Sequence, residues 1–351
     1  MDDSQREFLD ELLTTPSPTG YETAGQRVWI DYVSEFADDI QTDEYGNAVA
    51  TVEGGEPEIA IAGHADEIGF LVRRIDDDGF IQMARLGGSD RTVTRGQHVT
   101  IHGEEPVSGV VGQNAIHLRD AGKEEYDEIR EQRIDIGAED GEAARELVEV
   151  GDPITFSSTI EELQGSLVAA RGMDNRVGTF VAAETLRAAA EAGVDATIHA
   201  VSTVQEEVGL KGAQMVGFDL DPDAAIAVDV THATDYPNAP SDRAADVELG
   251  GGPVVSRGTT NHPVVVEAVR EASDDADVDV QLEAAGIRTG TDADAFFVQR
   301  GGIPSLNVGL PNRYMHTPVE VVDTEDLTAS VELLAAFAER TSEYEAFAVD
   351  I

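Results

Sequence analysis

Histidine is the scarce ligand-forming side chain in this sequence, and the search for a functional site begins with it. The chain carries 8 histidines against 70 aspartates and glutamates, and it has no cysteine. Thiolate catalysis and disulfides are therefore excluded, and a transition-metal site must draw its ligands from histidine, aspartate and glutamate. Because acidic residues are so abundant, most of them are expected to form a solvated surface. Only those that accompany a histidine or end an apolar strand are informative.

Five segments share one layout, in which an apolar strand or turn ends in a side chain that could bind a metal ion. In open α/β sheets, ligands bind outside the carboxyl ends of the strands, so these segments predict one common site. They are residues 59–67 (IAIAGHADE), 171–176 (RGMDNR), 198–209 (IHAVSTVQEEVG), 225–232 (AIAVDVTH) and 311–318 (PNRYMHTP).

The first segment places His64 directly after a buried-strand pattern, with Asp66 two residues further on. An isolated histidine at such a place is more often structural. A neighbouring carboxylate, however, can accept the second ring N–H of a metal-bound histidine and orient the ring. The spacing of His64 and Asp66, together with the other segments, favours a metal ligand with its supporting carboxylate.

The carboxylates of the middle segments each have an alternative interpretation. Asp174 precedes a predicted helix, where an aspartate commonly caps the first turn, but it could also bridge two metal ions. Glu206 and Glu207 close a strand, so one could bind metal while the other holds a water molecule; their spacing does not decide which. Asp229 ends an apolar strand, and a buried carboxylate there needs a metal ion or an arginine as partner.

The last segment places His316 in a loop after the final buried strand, a position where function is more common than packing. His232 follows the same strand as Asp229, and we expect it to support the site or the fold rather than to bind metal. The remaining histidines lack a comparable context and are predicted to be structural; they are His98, His102, His117, His199 and His262.

The candidate set thus contains two histidines, three carboxylates and one further glutamate. Nitrogen and oxygen donors of this kind suit zinc, cobalt or manganese. Two such ions about 3.5–4 Å apart can polarise a carbonyl group and activate water near neutral pH. The further glutamate would take a proton from water and deliver it to a leaving amine.

The chain divides into two kinds of region with different secondary-structure patterns. Residues 1–67 and 163–351 alternate between helix and strand, which predicts a mixed α/β sheet with helices on both faces. Residues 68–162 form short β-rich pieces between glycine and proline turns, which predicts a small β-barrel or sandwich. We therefore expect one α/β domain that is interrupted by an inserted β-rich domain.

The charge of the chain restricts its partners and its environment. The formal net charge is -47 over 351 residues, which would repel the phosphates of a nucleic acid. Self-repulsion of this size destabilises a compact state, but at about 1 M salt the Debye length is only roughly 3 Å. We hypothesise that the protein works in a very salty cytoplasm, since neither a signal peptide nor a membrane span is predicted.

In this order and spacing, the motifs resemble the tetrahedral (TET) aminopeptidases, which are metallopeptidases with two co-catalytic ions and include glutamyl and leucyl aminopeptidase-like enzymes. The resemblance runs from the first helix to about residue 340. Its markers are GHADEIGF at 63–70, MDNR at 173–176, TVQEEVGLKGA at 203–213, AVDVTHATD at 227–235, GTDADAF at 290–296 and RYMHTP at 313–318.

The resemblance implies a role for each candidate residue. One zinc or cobalt ion would be held by His64 and Asp229, and a second by Glu207 and His316. Asp174 would bridge the two ions. Manganese is another possible metal. The remaining two residues would be catalytic: Glu206 as general acid/base and Asp66 as the residue that orients His64.

The resemblance also implies an assembly and a substrate class. The inserted domain would be PDZ-like and would serve dimerisation, and dimers would build a hollow tetrahedral dodecamer that admits unfolded peptides. The substrates would be short peptides, from which the N-terminal residue is removed.

Other functions stay open on the sequence alone. The same metal pair could serve a carboxypeptidase or an N-acyl amino acid deacylase, and some relatives of the family carry an endoglucanase label. A glycosidase needs two free carboxyl groups and no metal, so resistance to chelators would favour it. A metal-stabilised scaffold without catalysis is a further alternative, which the intact Glu206-Glu207 pair argues against.

Overall fold

The computed structural model of the chain describes residues 1–119, 126–240 and 245–351. Within these ranges the chain forms a mixed eight-stranded sheet, a small three-stranded sheet and a closed six-stranded barrel. This confirms the predicted combination of an α/β domain with an inserted β-barrel. Across the described residues, none of the helices combines the length and the hydropathy that a membrane crossing requires.

The elements are numbered in chain order. The strands are β1 (Asp39–Thr42), β2 (Ala48–Val52), β3 (Gly55–His64), β4 (Gly69–Ile75), β5 (Ile81–Leu86), β6 (His98–His102), β7 (Pro106–Val111), β8 (Arg133–Asp135), β9 (Pro153–Phe156), β10 (Glu161–Glu162), β11 (Leu167–Ala170), β12 (Ala196–Thr203), β13 (Ala224–His232), β14 (Val254–Arg257), β15 (Gln281–Ala284), β16 (Ser305–Asn312) and β17 (Glu320–Asp323). The α-helices are α1 (Asp3–Thr14), α2 (Thr23–Val33), α3 (Gly141–Arg145), α4 (Met173–Ala192), α5 (Lys211–Leu220), α6 (Pro263–Ala276), α7 (Ala293–Phe296) and α8 (Thr324–Arg340).

The large sheet has the strand order β1-β2-β12-β3-β13-β16-β14-β15. Its four central strands, β12, β3, β13 and β16, run parallel. Residues 59–63 of β3 form an uninterrupted apolar run, because both faces of a parallel sheet are covered by helices. Ile59 and Ile61 pack into a core that includes residues of α1, α4 and α8, whereas Ala60 and Ala62 face residues of α5 and α7.

The first helix illustrates how local sequence sets the ends and faces of these elements. The side chain of Asp2 accepts the Gln5 backbone amide, and the side chain of Gln5 accepts that of Asp2. This capping box satisfies two amides that the first turn would leave unpaired. The apolar side chains recur at helical spacing and are all buried against the sheet domain: Phe8, Leu9, Leu12 and Leu13.

The barrel closes in the order β4-β5-β8-β7-β6-β9 and has a core of its own, which includes Phe70, Ile81, Met83 and Ile154. Its chain leaves the large sheet after β3 and returns through the β10–β11 hairpin. The predicted boundary between residues 162 and 163 falls in the turn of that hairpin, where the Leu163 amide donates to the Leu167 carbonyl.

The carboxyl ends of the central strands meet at one edge of the large sheet. His64 at the end of β3 lies opposite Thr203 at the end of β12. On the other side of β3, Ala62 pairs with Ala227 of β13, two residues before Asp229. The fold therefore brings three of the five candidate segments to one edge through strand register alone.

Candidate metal centre

Two histidines and one aspartate form the centre of the site. His64 Nε2 lies 3.1 Å from Asp174 Oδ1, and His316 Nε2 lies 3.1 Å from Asp174 Oδ2. Asp174 thus presents one carboxylate oxygen to each histidine. This is the arrangement that a bridging ligand between two ions requires.

One further carboxylate completes each half of the centre. Asp229 Oδ1 lies 3.6 Å from His64 Nε2, and Glu207 Oε1 lies 3.4 Å from His316 Nε2. In each half, the three potential ligand atoms lie within 4.8 Å of one another. The structure thereby brings together all five residues for which the sequence predicts metal binding.

The start of α4 explains how Asp174 reaches this position. Gly172 precedes the helix with φ +64° and has no side chain that could cap the first turn. Asp174 itself has non-helical backbone angles, and its carboxylate faces the two histidines. Asn175 accepts the Gly178 amide at 3.0 Å instead. The alternative interpretation of Asp174 as a helix cap is therefore wrong.

A tight turn after β12 presents the two glutamates. Glu206–Val208 forms a 3₁₀ turn between Gln205 at φ +55° and Gly209 at φ +115°. The carboxylate of Asp66 accepts the backbone amides of Glu206 at 2.9 Å and Glu207 at 3.2 Å. The turn directs the two side chains to different neighbours: Glu206 Oε2 lies 3.8 Å from His64 Nε2, whereas Glu207 faces His316.

Asp66 also contacts the histidine that precedes it. His64 Nδ1 lies 3.1 Å from the Asp66 carbonyl oxygen and 3.3 Å from its carboxylate. Thr19 donates its hydroxyl to Asp66 Oδ2 at 2.8 Å. The side chain is fully buried and held from several directions, so it can fix both the His64 ring and the Glu206–Glu207 turn.

The electrostatics of the centre call for additional positive charge. Burial opposes a charge on His64, but Asp229 and Glu206 outweigh it and raise the pKa of His64 well above its usual value. Likewise, burial opposes a charge on His316, but Asp174 and Glu207 raise the pKa of His316 to about 11. Two carboxylates of the centre also have raised pKa values, because burial opposes the charge of Asp229 and of Glu207.

These residues could hold divalent cations. Glu207 Oε1 is buried without a hydrogen bond, and a cation between the facing ligand atoms would satisfy it. Burial, with Asp229, Asp292 and Glu207 nearby, raises the pKa of Glu206 to about 10. A cation would favour the charged form of each carboxylate and stabilise the cluster. Two imidazoles and three carboxylates are a donor set suited to first-row transition metals.

Two buried acidic residues support the centre, and neither is among the site residues predicted from the sequence. Glu320 accepts the His316 amide at 2.8 Å and the Asp174 amide at 3.3 Å, and so joins the two ligands. Asp292 accepts the Thr203 hydroxyl at 2.6 Å; burial raises the pKa of Asp292 to about 7. Asp292 lies in the GTDADAF motif, which could have revealed it, whereas no pattern marked Glu320.

A buried ion network next to the site was also missed. Glu67 accepts Arg176 Nη2 at 2.7 Å and forms a short ion pair with Arg171. Burial opposes the charge of Glu67, but the two guanidinium groups outweigh it and lower the pKa of Glu67 to about 2. Arg176 also donates to the carbonyl oxygens of Ala65 and Leu12, which ties the segment after His64 to α1 and α4.

The other histidines lie outside the centre. His232 is exposed at the end of β13, and no group of potential metal ligands found among the described residues includes it. The histidines predicted to be structural are also outside these groups of potential metal ligands. His199, for example, contacts Thr51 Oγ1 at 2.9 Å on strand β2.

Comparison with known proteins places this geometry in a family. A family model described as M42 glutamyl aminopeptidase matches residues 46–333. The lysyl aminopeptidase of Pyrococcus furiosus is 32% identical over 342 residues, which cover 95% of this chain and 96% of that protein.

Solved structures agree with this match. The TET aminopeptidase from the marine sediment archaeon Thaumarchaeota archaeon has a TM-score of 0.91 at 31% identity and covers 97% of both chains. The TET1 peptidase of Pyrococcus horikoshii, which can assemble into a tetrahedron or a large octahedral shell, has a TM-score of 0.86 at 31% identity. That alignment covers 95% of this chain and 99% of the other.

Proposed function

Because the chain belongs to the M42 glutamyl aminopeptidase family and is a metal-dependent aminopeptidase, we propose that it removes N-terminal residues from short peptides with two divalent cations. The observation that carries this proposal is the shared carboxylate of Asp174, whose two oxygens each lie 3.1 Å from a different histidine. Each histidine therefore faces its own oxygen of Asp174, which is the arrangement expected of a carboxylate that bridges two ions.

The ligands divide into two sets around Asp174. His64 and Asp229 hold one ion, and Glu207 and His316 hold the other, with zinc or cobalt as the first candidates and manganese as a third. When bound, the two ions polarise the scissile carbonyl and lower the pKa of water. Asp66 accepts from the His64 ring and so keeps Nε2 free to bind metal.

Glu206 is the proposed general acid/base. Its carboxylate is buried beside the His64 half of the centre, with Oε2 3.8 Å from His64 Nε2. Burial, together with the neighbouring acids, raises the pKa of Glu206, so the side chain can hold a proton taken from water. It then delivers that proton to the amine that leaves.

The proposed substrates and assembly follow the relatives. The substrates are short peptides with a free N-terminus, and nucleic acid is not a partner because the net charge is -47. We expect the barrel domain to form dimers and the dimers to form a tetrahedral dodecamer in the cytoplasm. Exposed apolar side chains on an otherwise acidic surface support self-association; Ile116, Leu118, Phe218 and Val298 are each more than half exposed.

A peptide panel tests the activity and the base together. Peptides with free and with acetylated N-termini are incubated in about 3 M salt, where surface charges are screened, with and without a chelator. Wild type is compared with Glu206→Gln and with Glu35→Gln, which alters an exposed acid. We expect cleavage of the free peptides only, lost on chelation and lowered at least about 10²-fold in Glu206→Gln, while Glu35→Gln behaves as wild type.

Each result that would contradict the proposal points to a different alternative. Cleavage of only the acetylated peptides would indicate a deacylase on the same centre, and loss of the C-terminal residue would indicate a carboxypeptidase. Activity that resists a chelator would contradict the metal mechanism, and full activity of Glu206→Gln would remove that residue from the role of base.

A further inference from the structure

The two histidines of the centre are oriented in different ways. His64 has a partner for its second ring nitrogen, because Nδ1 lies within 3.3 Å of Asp66. His316 makes its contacts through Nε2, and the described residues provide no hydrogen bond to its Nδ1. Since metal-bound histidines almost always have their second nitrogen held, the residues packed against the His316 ring are candidates for orienting it.

The turn that follows β5 in the inserted barrel packs against this ring. A Cβ atom built on Gly88 would lie 2.4 Å from both Nδ1 and Cε1 of His316. On Gly87 it would lie 3.2 Å from Glu207 Cβ and 3.3 Å from Glu207 Oε2. The backbone of this two-glycine turn therefore packs directly against the two side chains that are proposed to hold the second ion.

The turn is itself held in place by the barrel. Leu86 pairs with Gly69 at the start of β4, and the buried Ser89 hydroxyl donates to the Gly69 carbonyl at 2.8 Å. Gly87 adopts φ +66°, a left-handed conformation that glycine reaches without strain. The barrel can thus hold the turn as a fixed wall beside the centre.

The backbone of His316 is fixed separately. Its amide donates to Glu320 Oε1 at 2.8 Å, and its φ is +63°. The ring can still rotate about its side-chain bonds, and Gly88 restricts that rotation where it lies against Nδ1 and Cε1. The Nε2 atom of the ring meets the carboxylates of Asp174 and Glu207.

We propose that the Gly87–Gly88 turn is a positioning element for one ion of the pair, acting by contact with His316 and Glu207. The inference rests on the ligand sets proposed above. It gives the barrel a role in building the metal centre, in addition to the role in dimerisation that the family resemblance implies. Space beside His316, rather than a hydrogen bond, sets the affinity for the second ion.

Gly88→Ala tests the contact directly, because Gly88 does not have a positive φ and an alanine there is opposed by His316 rather than by its own backbone. The matched control is Gly112→Ala, in the same barrel, where a Cβ atom would meet nothing within 4 Å. Bound metal per subunit is measured by elemental analysis after equilibration with Co²⁺ or Zn²⁺ at stepped free concentrations. Circular dichroism and the melting temperature verify folding.

We expect two binding steps in wild type and in Gly112→Ala. In Gly88→Ala, one step should weaken by about 10- to 100-fold, the range for changes in residues that support a ligand, while the other stays unchanged. His316→Ala provides the reference for loss of the second ion. Two unchanged steps in folded Gly88→Ala, beside a lost step in His316→Ala, would overturn the inference and leave the proposed ligands intact.

Failure of the ligand assignment gives a different result, since His316→Ala itself would then keep both binding steps. If Gly88→Ala does not fold, Ser89→Ala decides, because it removes only the hydroxyl that holds the turn to Gly69. A selective weakening of the second step in Ser89→Ala would support the proposal, and unchanged binding would overturn it.

Discussion

The carboxylate of Asp66 accepts the backbone amide of Glu206 at 2.9 Å. The same carboxylate lies 3.3 Å from Nδ1 of His64. One buried side chain therefore joins the proposed base to the first proposed metal ligand. Because β3 and β12 deliver these residues from adjacent parallel strands, Asp66 fixes the distance between the ends of the two strands.

Replacement of Asp66 by asparagine should weaken metal binding as well as catalysis. Asparagine retains one acceptor oxygen, but its side-chain NH2 group would face hydrogen-bond donors that the carboxylate now accepts from, such as the backbone amides of Glu206 and Glu207. We expect the affinity for the first ion to fall about 10- to 100-fold, with a further loss of kcat as the Glu206–Glu207 turn loosens. Metal titration and steady-state kinetics check this, with the exposed Asp31→Asn as control; unchanged metal affinity would contradict it.

Removal of Glu67 should strongly destabilise the fold. Glu67→Gln leaves Arg171 and Arg176 buried with a missing charge partner, and breaking a buried ion pair costs about 3–5 kcal/mol. The control is Glu267→Gln, which removes an exposed pair with Arg270 on α6 and should cost less than about 1 kcal/mol. Denaturant unfolding in high salt measures both, and equal effects of the two substitutions would refute the distinction.

Glu22 should make stability depend on pH. Its Oε1 accepts the amides of Gly20 and Gln205, and burial and the nearby Asp66 raise the pKa of Glu22 from 4.5 to about 7. Between these values the native state binds more protons than the unfolded chain, so this contribution to stability falls as pH rises.

The side chain introduced by Glu22→Gln can accept the same amide hydrogens without a charge. The free energy of unfolding of this variant should therefore rise relative to that of wild type as the pH increases from 4.5 to 7. The change should reach at most about 3 kcal/mol, at about 1.4 kcal/mol for each pH unit. Melting temperatures at stepped pH measure it, with the exposed Glu53→Gln as control. A difference between wild type and Glu22→Gln that stays constant over this range would count against the assigned protonation.

Salt should be required for the folded state. The net charge of -47 repels itself, and the Debye length grows from roughly 3 Å at 1 M salt to about 10 Å at 0.1 M. We expect the melting temperature to rise steadily between 0.05 and 3 M KCl. Sucrose strengthens apolar burial without screening charge, so it should replace only part of the effect. Full structure and activity in 50 mM salt would disprove the hypothesis.

The sequence by itself determined the fold class and the region of the site. Apolar runs such as residues 59–62 and 225–228 predict buried strands, and a polar side chain that follows such a run is expected near the carboxyl edge of the sheet. That is sufficient to select His64 and Asp229, because a buried polar side chain at a strand end needs a partner. The scarcity of histidine in an acidic chain then makes His316 stand out.

Only the tertiary structure decided which atoms face one another. By its sequence position Asp174 could be a helix cap or a bridging ligand, and the choice depends on whether His64 and His316 approach different oxygens of its carboxylate. The neighbouring Glu206 and Glu207 are indistinguishable by spacing, but the turn between Gln205 and Gly209 sends them to different histidines.

The supports of the site depend on contacts between distant parts of the chain. Glu320 and Gly88 carry no pattern that marks them, because a carboxylate that accepts two backbone amides and a glycine that admits a ring are defined by their neighbours in space. Local propensity and periodicity act over a few residues, whereas the barrel turn meets His316 across more than two hundred residues of sequence. The sequence could therefore predict the ligands, and the packing of the two domains decided how they are held.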